Sequence, residues 1–133
     1  MNAPIFLSVQ DVELLHQRSI ARFGGTLGLR DRAGLESAVN HPKNVYFYGQ
    51  GDYFDIAAAY AFHIAESQAF LDGNKRTAVA AALSFLDFNG VDTVFNWTKL
   101  YDAMIAIASR QLDKADLACL LRRQARSEDN RNL

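Results

Sequence analysis

The chain has 133 residues, 50% of them hydrophobic and 22% charged, and its formal net charge is −1 at pH 7. This is the composition of a folded globular domain, and it excludes a disordered chain. The small net charge argues against a protein that coats nucleic acid, no apolar run approaches the ~18 residues of a membrane span, and a single cysteine, Cys119, excludes an internal disulfide. The first residues lack the basic and apolar regions of a signal peptide, so we expect a cytoplasmic protein.

A first helix is predicted from Ser8 to about Arg22. Ser8 can cap its amino terminus, and Gly24 with Gly25 can end it, because glycine tolerates the left-handed backbone that closes helices. Its partial apolar face consists of Val9, Val12, Leu15 and Ile20.

The next segment holds a short helix and a loop. The helix is predicted over Arg32–Asn40, and Pro42 stops it because proline disfavours helical geometry at the preceding His41. The stretch Asn44–Tyr53 mixes aromatic, amide and acidic side chains between glycines. We predict that it forms a loop or short β-hairpin, here called the flap.

The middle of the chain contains the clearest helix. Asp55 is predicted to start a helix that runs through Ala65, and a loop over Gln68–Asn74 then leads to a helix over Arg76–Asn89. This last helix is apolar nearly all round, which is typical of a helix buried in the middle of a domain.

Two further helices are predicted after it. Asn96 or Thr98 opens the first, which ends near Ser109. Asp113 caps the second, which continues through Leu121.

The pattern as a whole predicts an all-α bundle around a buried central helix, with one small β-hairpin. Linkers, repeats and low-complexity segments are absent from the sequence, so we expect one domain over residues 1–126. Residues 127–133 are charged and lack apolar spacing, and we expect them to fray.

The segment Gln68–Thr77 carries the chemistry of the chain. It reads Gln-Ala-Phe-Leu-Asp-Gly-Asn-Lys-Arg-Thr and runs into the first turn of the buried helix. The first amides of a helix have no internal acceptor and lie at the positive end of its dipole, where Lys75 and Arg76 add two positive charges. A bound phosphate chain would make this concentration of charge favourable, so the pattern predicts a phosphate site.

Neighbouring residues suit the same site. Gly73 would let the backbone approach the ligand, and Asn74 can either cap the helix or donate to a ligand oxygen. Asp72 offers the hard oxygen that Mg²⁺ takes together with phosphate oxygens, and Phe70 is interpreted as the anchor of the loop. An ordinary Asp-Gly-Asn turn before a solvated Lys-Arg pair would contain the same residues. From this chemistry alone, both interpretations stay open.

The segment resembles the signature of the Fic/Doc (Fido) family, in its death-on-curing branch. The family pattern is His-x-Phe-x-(Asp/Glu/Asn)-(Gly/Ala)-Asn-(Gly/Lys)-Arg. The resemblance extends over roughly Leu14–Gly90, and it includes the segments Gly28–Asp31, Gly34–Ala38 and Tyr53–Ala57. Similarity over such a range is specific.

The resemblance implies an all-α fold with a flap that aligns the target, and an enzyme that transfers part of ATP to a hydroxyl of a target protein. By position, Asp72 would hold Mg²⁺, whereas Asn74, Lys75 and Arg76 would contact phosphates. Lysine at position 75 implies transfer of the γ-phosphate, since members with glycine there transfer AMP. The resemblance also implies a translation elongation factor as target and an antitoxin of the Phd type as partner.

Position 68 carries glutamine where the family has its catalytic histidine. Glutamine cannot accept a proton near neutral pH, although its amide can orient a hydroxyl. If Gln68 ended a regular helix, Ile64 and Ala65 would share its face, whereas His63 and Glu66 would lie about 140° and 160° away. No local substitute for the histidine is therefore predicted.

Three functions stay open. The first is a Doc-type toxin that transfers phosphate from ATP, which Lys75 favours, and the second is a non-catalytic member that binds nucleotide or protein, which Gln68 favours. The third is an AMP transferase. No Ser or Thr has Glu four residues later, so the self-inhibitory Ser/Thr-x-x-x-Glu motif of some members is absent from the sequence. An inhibitor is therefore expected on another chain.

Other reactive or charged side chains are interpreted as structural or solvated. Two of the three histidines are expected to have structural contacts, the cysteine to be a small buried hydrophobic residue, the aromatic residues at the start of the penultimate helix to lie in the core or at its rim, and the basic end to lie in solvent. The residues concerned are His16, His63, Cys119, Trp97, Tyr101, Arg122, Arg123 and Arg126.

Overall fold

A computed structural model describes residues 3–91 and 95–131, with side chains up to residue 125. Within these ranges the chain forms seven helices and one isolated β-bridge, which confirms the all-α prediction. None of the described helices has the length and apolar character needed to cross a membrane. The helices are α1 (Val9–Phe23), α2 (Arg32–Asn40), α3 (Pro42–Phe47), α4 (Tyr53–Ser67), α5 (Asn74–Phe88), α6 (Trp97–Ala108) and α7 (Lys114–Arg131).

Capping side chains explain where the helices start. The Ser8 hydroxyl accepts a hydrogen bond from the Asp11 N–H at 3.1 Å, and the Asp11 carboxylate accepts one from the Ser8 N–H at 2.8 Å. Asp52 and Asp55 form the same reciprocal pair at the start of α4. Because Asp52 is the cap and Asp55 lies inside the first turn, α4 starts at Tyr53 and not at Asp55 as predicted.

The core lies between α4 and α5, which pack along each other in the middle of the bundle. Helix α4 also contacts α2, α3, α6 and α7, so the central helix predicted from the sequence is one of a central pair. Every residue of Ile56–Ala61 is buried. The predicted burial of α5 is confirmed, and its buried residues are Thr77, Ala78, Val79, Ala81, Ala82, Phe85 and Leu86.

The stretch Asn44–Tyr53 forms no β-hairpin, so that alternative is wrong, and the loop alternative holds only for residues 48–52. Pro42–Phe47 forms α3 instead, and Pro42 occupies its first turn, where the missing N–H is not needed. Pro42 thus follows the end of α2 and at once begins another helix. The predicted flap ends at the start of α4, whereas the motif follows the end of α4. The two are therefore separated by a 15-residue helix, which is about 22 Å long.

Helix α7 is longer than predicted. Leu117, Leu121 and Ala125 are buried at intervals of four residues, so the apolar face continues past the predicted end at Leu121, and the helix runs to Arg131. The predicted frayed tail overlaps the end of this helix, and its last two residues lie outside the described part of the chain. Its fraying stays a prediction.

Two expectations for side chains of α7 are wrong. Cys119 is exposed, because it lies about 200° around the helix from the buried Leu117 and from Leu121. Arg122 is not simply solvated: its Nε lies 3.1 Å from Asp52 Oδ2, and its Nη2 lies 3.1 Å from Asp55 Oδ1. This ion pair joins α7 to the first turn of α4.

Candidate functional site

The motif loop, residues 68–73, connects the end of α4 to the start of α5. Gln68 ends α4 with φ = 45°, and Gly73 precedes α5 with φ = 77°, so both adopt the left-handed conformation. This conformation suits glycine, but it costs another residue about 1–2 kcal/mol. With Gly73 as its cap, α5 begins at Asn74, two residues before the predicted start, and no described side chain caps it.

Two side chains hold the motif loop from the inside. Asn74 Oδ1 accepts from the Phe70 N–H at 3.0 Å, and Asn74 Nδ2 donates to the Phe70 carbonyl at 2.9 Å. The buried Phe70 ring stacks on the His16 ring with centroids 3.8 Å apart. The predicted anchor role of Phe70 is confirmed. One alternative was that Asn74 caps α5. This is wrong, because the Asn74 amide forms its hydrogen bonds within the loop.

The loop between α1 and α2, residues 24–31, holds the motif loop from the outside. The Arg30 N–H donates to the Ala69 carbonyl at 2.7 Å, and the Leu71 N–H donates to the Gly28 carbonyl at 3.0 Å. This antiparallel contact is the isolated bridge of the structure. The segment that borders the motif loop is therefore residues 24–31 and not the predicted flap.

The Asp72 carboxylate lies at the surface between these two loops. Its Oδ2 accepts from the Thr26 N–H at 3.1 Å, and its Oδ1 accepts from the Gly73 N–H at 2.8 Å. These two backbone bonds, and then the positive charge of Arg76, hold the pKa of Asp72 below its usual range. A Cβ atom built on Gly25 would lie 2.6 Å from Asp72 Oδ2, so a larger residue at position 25 would displace the carboxylate.

A cavity of about 390 Å³ brings the predicted site residues together. The motif and the last turns of α4 form one side of it, and α6 forms the other with Tyr101 and apolar side chains. The α6 side was not predicted, although its apolar spacing could have revealed a helix face turned toward the motif. The lining residues are Ala65, Glu66, Gln68, Leu71, Asp72, Gly73, Asn74, Lys75, Arg76, Tyr101, Met104, Ile107 and Ala108.

Both motif cations line this cavity. Lys75 and Arg76 belong to the first turn of α5, at the positive end of its dipole. The Arg76 guanidinium also lies over the Phe23 ring, 5.4 Å from its centroid, and its Nη1 is 3.5 Å from the Gly24 carbonyl oxygen. The end of α1 thus supports the guanidinium of Arg76, a residue that also lines the cavity.

The sequence predicts no local substitute for the family's catalytic histidine, because it assumes that Gln68 continues the regular helix α4. The structure departs from this assumption. Gln68 has left-handed backbone angles and is no longer part of the α4 helical wheel. Glu66 and Gln68 line the same cavity, although a regular helix would separate them by about 160°. An acidic residue therefore lines the same cavity as position 68.

The two histidines have structural contacts, as predicted. His16 is buried, and its Nε2 lies 2.7 Å from the Asp72 carbonyl oxygen. His63 lies away from the cavity, with its ring centroid 3.9 Å from that of His41 and its Nε2 3.2 Å from Lys114 Nζ. Burial, and then the charges of His41 and Lys114, lower the pKa of His63 to about 4.

Comparison with known proteins identifies the class. Residues 6–86 match the model of the Fic/DOC family, so the chain belongs to that family. It is 33% identical over 118 residues to "Protein kinase doc" of Escherichia phage P1, covering 88% of this chain and 93% of that protein. It is 40% identical over 121 residues to "Toxin Doc" of Mycolicibacterium smegmatis, covering 87% of this chain and 90% of that protein.

Proposed function

We propose that the chain is a Doc-type toxin that transfers the γ-phosphate of ATP to a hydroxyl of a target protein. The names of its two relatives, a protein kinase and a toxin, support this class. The observation that carries the proposal is the cavity in which the uncapped start of α5, Lys75, Arg76 and Asp72 meet. A pocket with free amides and two cations at one end suits a polyphosphate.

The phosphates of ATP would occupy the α5 end of the cavity. The N–H groups of the first turn, the point charge of Lys75 and the planar guanidinium of Arg76 would bind their oxygens. Phosphoryl transfer depends mainly on positioning and on charge stabilisation, which these groups supply. Lysine at position 75 favours transfer of the γ-phosphate over transfer of AMP.

Asp72 would hold the Mg²⁺ that accompanies ATP. Its carboxylate is ionised and exposed, and each oxygen uses one lone pair for a backbone N–H, which leaves others for a metal. The described residues contain no group of three acidic, histidine or cysteine side chains suited to a metal. A Mg²⁺ site needs no such cluster, because Mg²⁺ commonly binds one carboxylate and takes its remaining ligands from substrate phosphates and water.

The toxin would have a protein partner. Its relatives are Doc proteins, and its 133 residues lack the Ser/Thr-x-x-x-Glu motif by which some family members inhibit themselves. We therefore propose an antitoxin of the Phd type on a separate chain. A translation elongation factor is the proposed target, on the basis of family resemblance.

A second function, a non-catalytic member of the family that binds nucleotide or protein, is favoured by one observation. Gln68 occupies the position of the catalytic histidine and cannot accept a proton. Loss of a positioned base typically lowers the rate by about 10²–10⁴-fold.

Incubation with Mg²⁺ and ATP labelled separately at the α- and γ-phosphates, together with a purified elongation factor, distinguishes these functions. We expect γ-label on the target protein. Transfer of α-label would indicate an AMP transferase instead, and ATP binding without transfer of either label would indicate the non-catalytic function.

A further inference from the structure

We propose that Glu66 is the general base that accepts the proton of the target hydroxyl, in place of the imidazole that the family carries at position 68. The inference rests on the proposed function and deepens it. It starts from a missing proton acceptor. A hydroxyl that attacks phosphorus must lose its proton, and the Gln68 amide cannot accept it. Gln68 is left with the role of orienting the hydroxyl.

Glu66 lines the same cavity as the residue that lacks this base, Gln68. Gln68 turns the chain out of α4 with φ = 45°, and the residues Ala65, Glu66 and Gln68 all line the cavity. The Glu66 side chain is exposed, and within the described part of the chain it takes part in none of the ion pairs. Its carboxylate is therefore available to a group that enters the cavity.

The other titratable groups of the cavity are unsuited to this role. Lys75 and Arg76 are cations, which have no lone pair to offer. Tyr101 lies on α6, on the opposite side of the cavity from the motif. Asp72 binds two backbone N–H groups and is the proposed magnesium ligand. Glu66 is the carboxylate of the cavity that remains.

The step conserves atoms and charge. The Glu66 carboxylate takes the proton of the target hydroxyl while the hydroxyl oxygen forms a bond to the γ-phosphorus of ATP. The bond from the γ-phosphorus to the β–γ bridging oxygen breaks, and ADP leaves with its electron pair. The products are a phosphorylated target and a protonated Glu66, which returns its proton to water.

Glu66→Gln tests the inference, because it removes the base with little change in shape. We expect the rate of γ-label transfer to the elongation factor to fall by about 10²–10⁴-fold. The affinity for Mg²⁺–ATP, measured by calorimetry, should stay within about threefold. Glu36→Gln is the matched control: it makes the same chemical change on the exposed surface of α2, away from the cavity, and should leave transfer unchanged.

A second variant supplies a readout that a purely structural role would not move. In the double variant Glu66→Gln with Gln68→His, an imidazole becomes the base, and we expect transfer to recover at least tenfold relative to Glu66→Gln. Histidine also tolerates the left-handed backbone at position 68. Imidazoles as a class titrate near pH 6.5, so the rate of the double variant should fall between pH 7.5 and 5.5, more steeply than the rate of the unmodified chain.

The outcomes separate the inference from the proposed function. Transfer by Glu66→Gln at the unmodified rate would overturn the inference and leave the kinase function standing. A parallel loss of ATP affinity would also overturn it, because Glu66 would then act in nucleotide binding. Absence of transfer by the unmodified chain, with ATP bound, would overturn both.

Discussion

The Nε2 atom of His16 lies 2.7 Å from the backbone carbonyl oxygen of Asp72, which comes 56 residues later in the chain. Because a carbonyl only accepts hydrogen bonds, this nitrogen must carry the hydrogen. The same ring stacks on Phe70, so a single buried side chain of α1 holds the motif loop at two points. The position of the Asp72 carboxylate therefore depends on a contact with a distant helix.

His16→Phe should destabilise the protein by about 1–3 kcal/mol, because it keeps an aromatic ring against Phe70 but leaves the Asp72 carbonyl without its donor. The free energy of unfolding in urea measures this. Gln17→Ala, on the exposed side of the same helix, is the control and should change stability by less than about 0.5 kcal/mol. Equal stability of His16→Phe and the unmodified chain would refute the role of this bond.

Gly25→Ala should weaken Mg²⁺–ATP binding by about tenfold or more, since groups that orient a metal ligand typically contribute this much. Its methyl group would displace the Asp72 carboxylate, which lies 2.6 Å from the Cβ position. Gly24→Ala is a matched control, because its φ is also positive, at 84°, but no atom lies within 4 Å of its Cβ position. Calorimetric titration compares the two, and equal affinities would contradict the assignment of Asp72.

Much of this site follows from residue types alone. The charges of Lys75 and Arg76 at a helix start, with Gly73 before them, predict an anion site whatever the rest of the fold. The capping residue Ser8 likewise predicts the start of α1, because a cap acts within a single turn.

The remaining features depend on contacts between distant segments, which local patterns do not encode. Gln68 leaves the helical path of α4 through a left-handed conformation, which non-glycine residues rarely adopt. Tyr101 reaches the cavity only because α6 packs across from the motif. The flap was misplaced because polar and aromatic residues around glycines favour a loop, whereas Pro42 can equally begin a helix.

His63 should make stability depend on pH. Its pKa is lowered to about 4 in the folded chain, against about 6.5 when unfolded, so only the unfolded chain gains a proton between these values. Stability from this group is complete above pH 6.5 and is lost as the pH falls toward 4. Half-exposure limits the effect to about 1 kcal/mol. His63→Gln should reduce the drop in urea midpoint from pH 7.5 to 5.0; an unchanged drop would exclude His63 as its source.

Arg122→Gln should lower the free energy of unfolding by about 1 kcal/mol, because Arg122 bridges Asp52 and Asp55 from a partly buried position. Arg123→Gln removes the same charge from an exposed neighbour that forms none of the described ion pairs, and it should have little effect. Denaturation at low and high salt measures both variants. A difference that persists at 1 M salt would indicate packing of the Arg122 guanidinium over the Phe54 ring as the main contribution.

The most direct test of the phosphate site at the start of α5 is calorimetric titration of Mg²⁺–ATP into the unmodified chain, Arg76→Ala and Arg22→Ala. Arg22 lies over the same Phe23 ring, at 5.3 Å, but does not line the cavity, so its variant controls for the loss of a cation beside that ring. We predict saturable binding to the unmodified chain and to Arg22→Ala, and at least tenfold weaker binding to Arg76→Ala. No saturable binding to the unmodified chain, or equal binding to all three, would contradict the account.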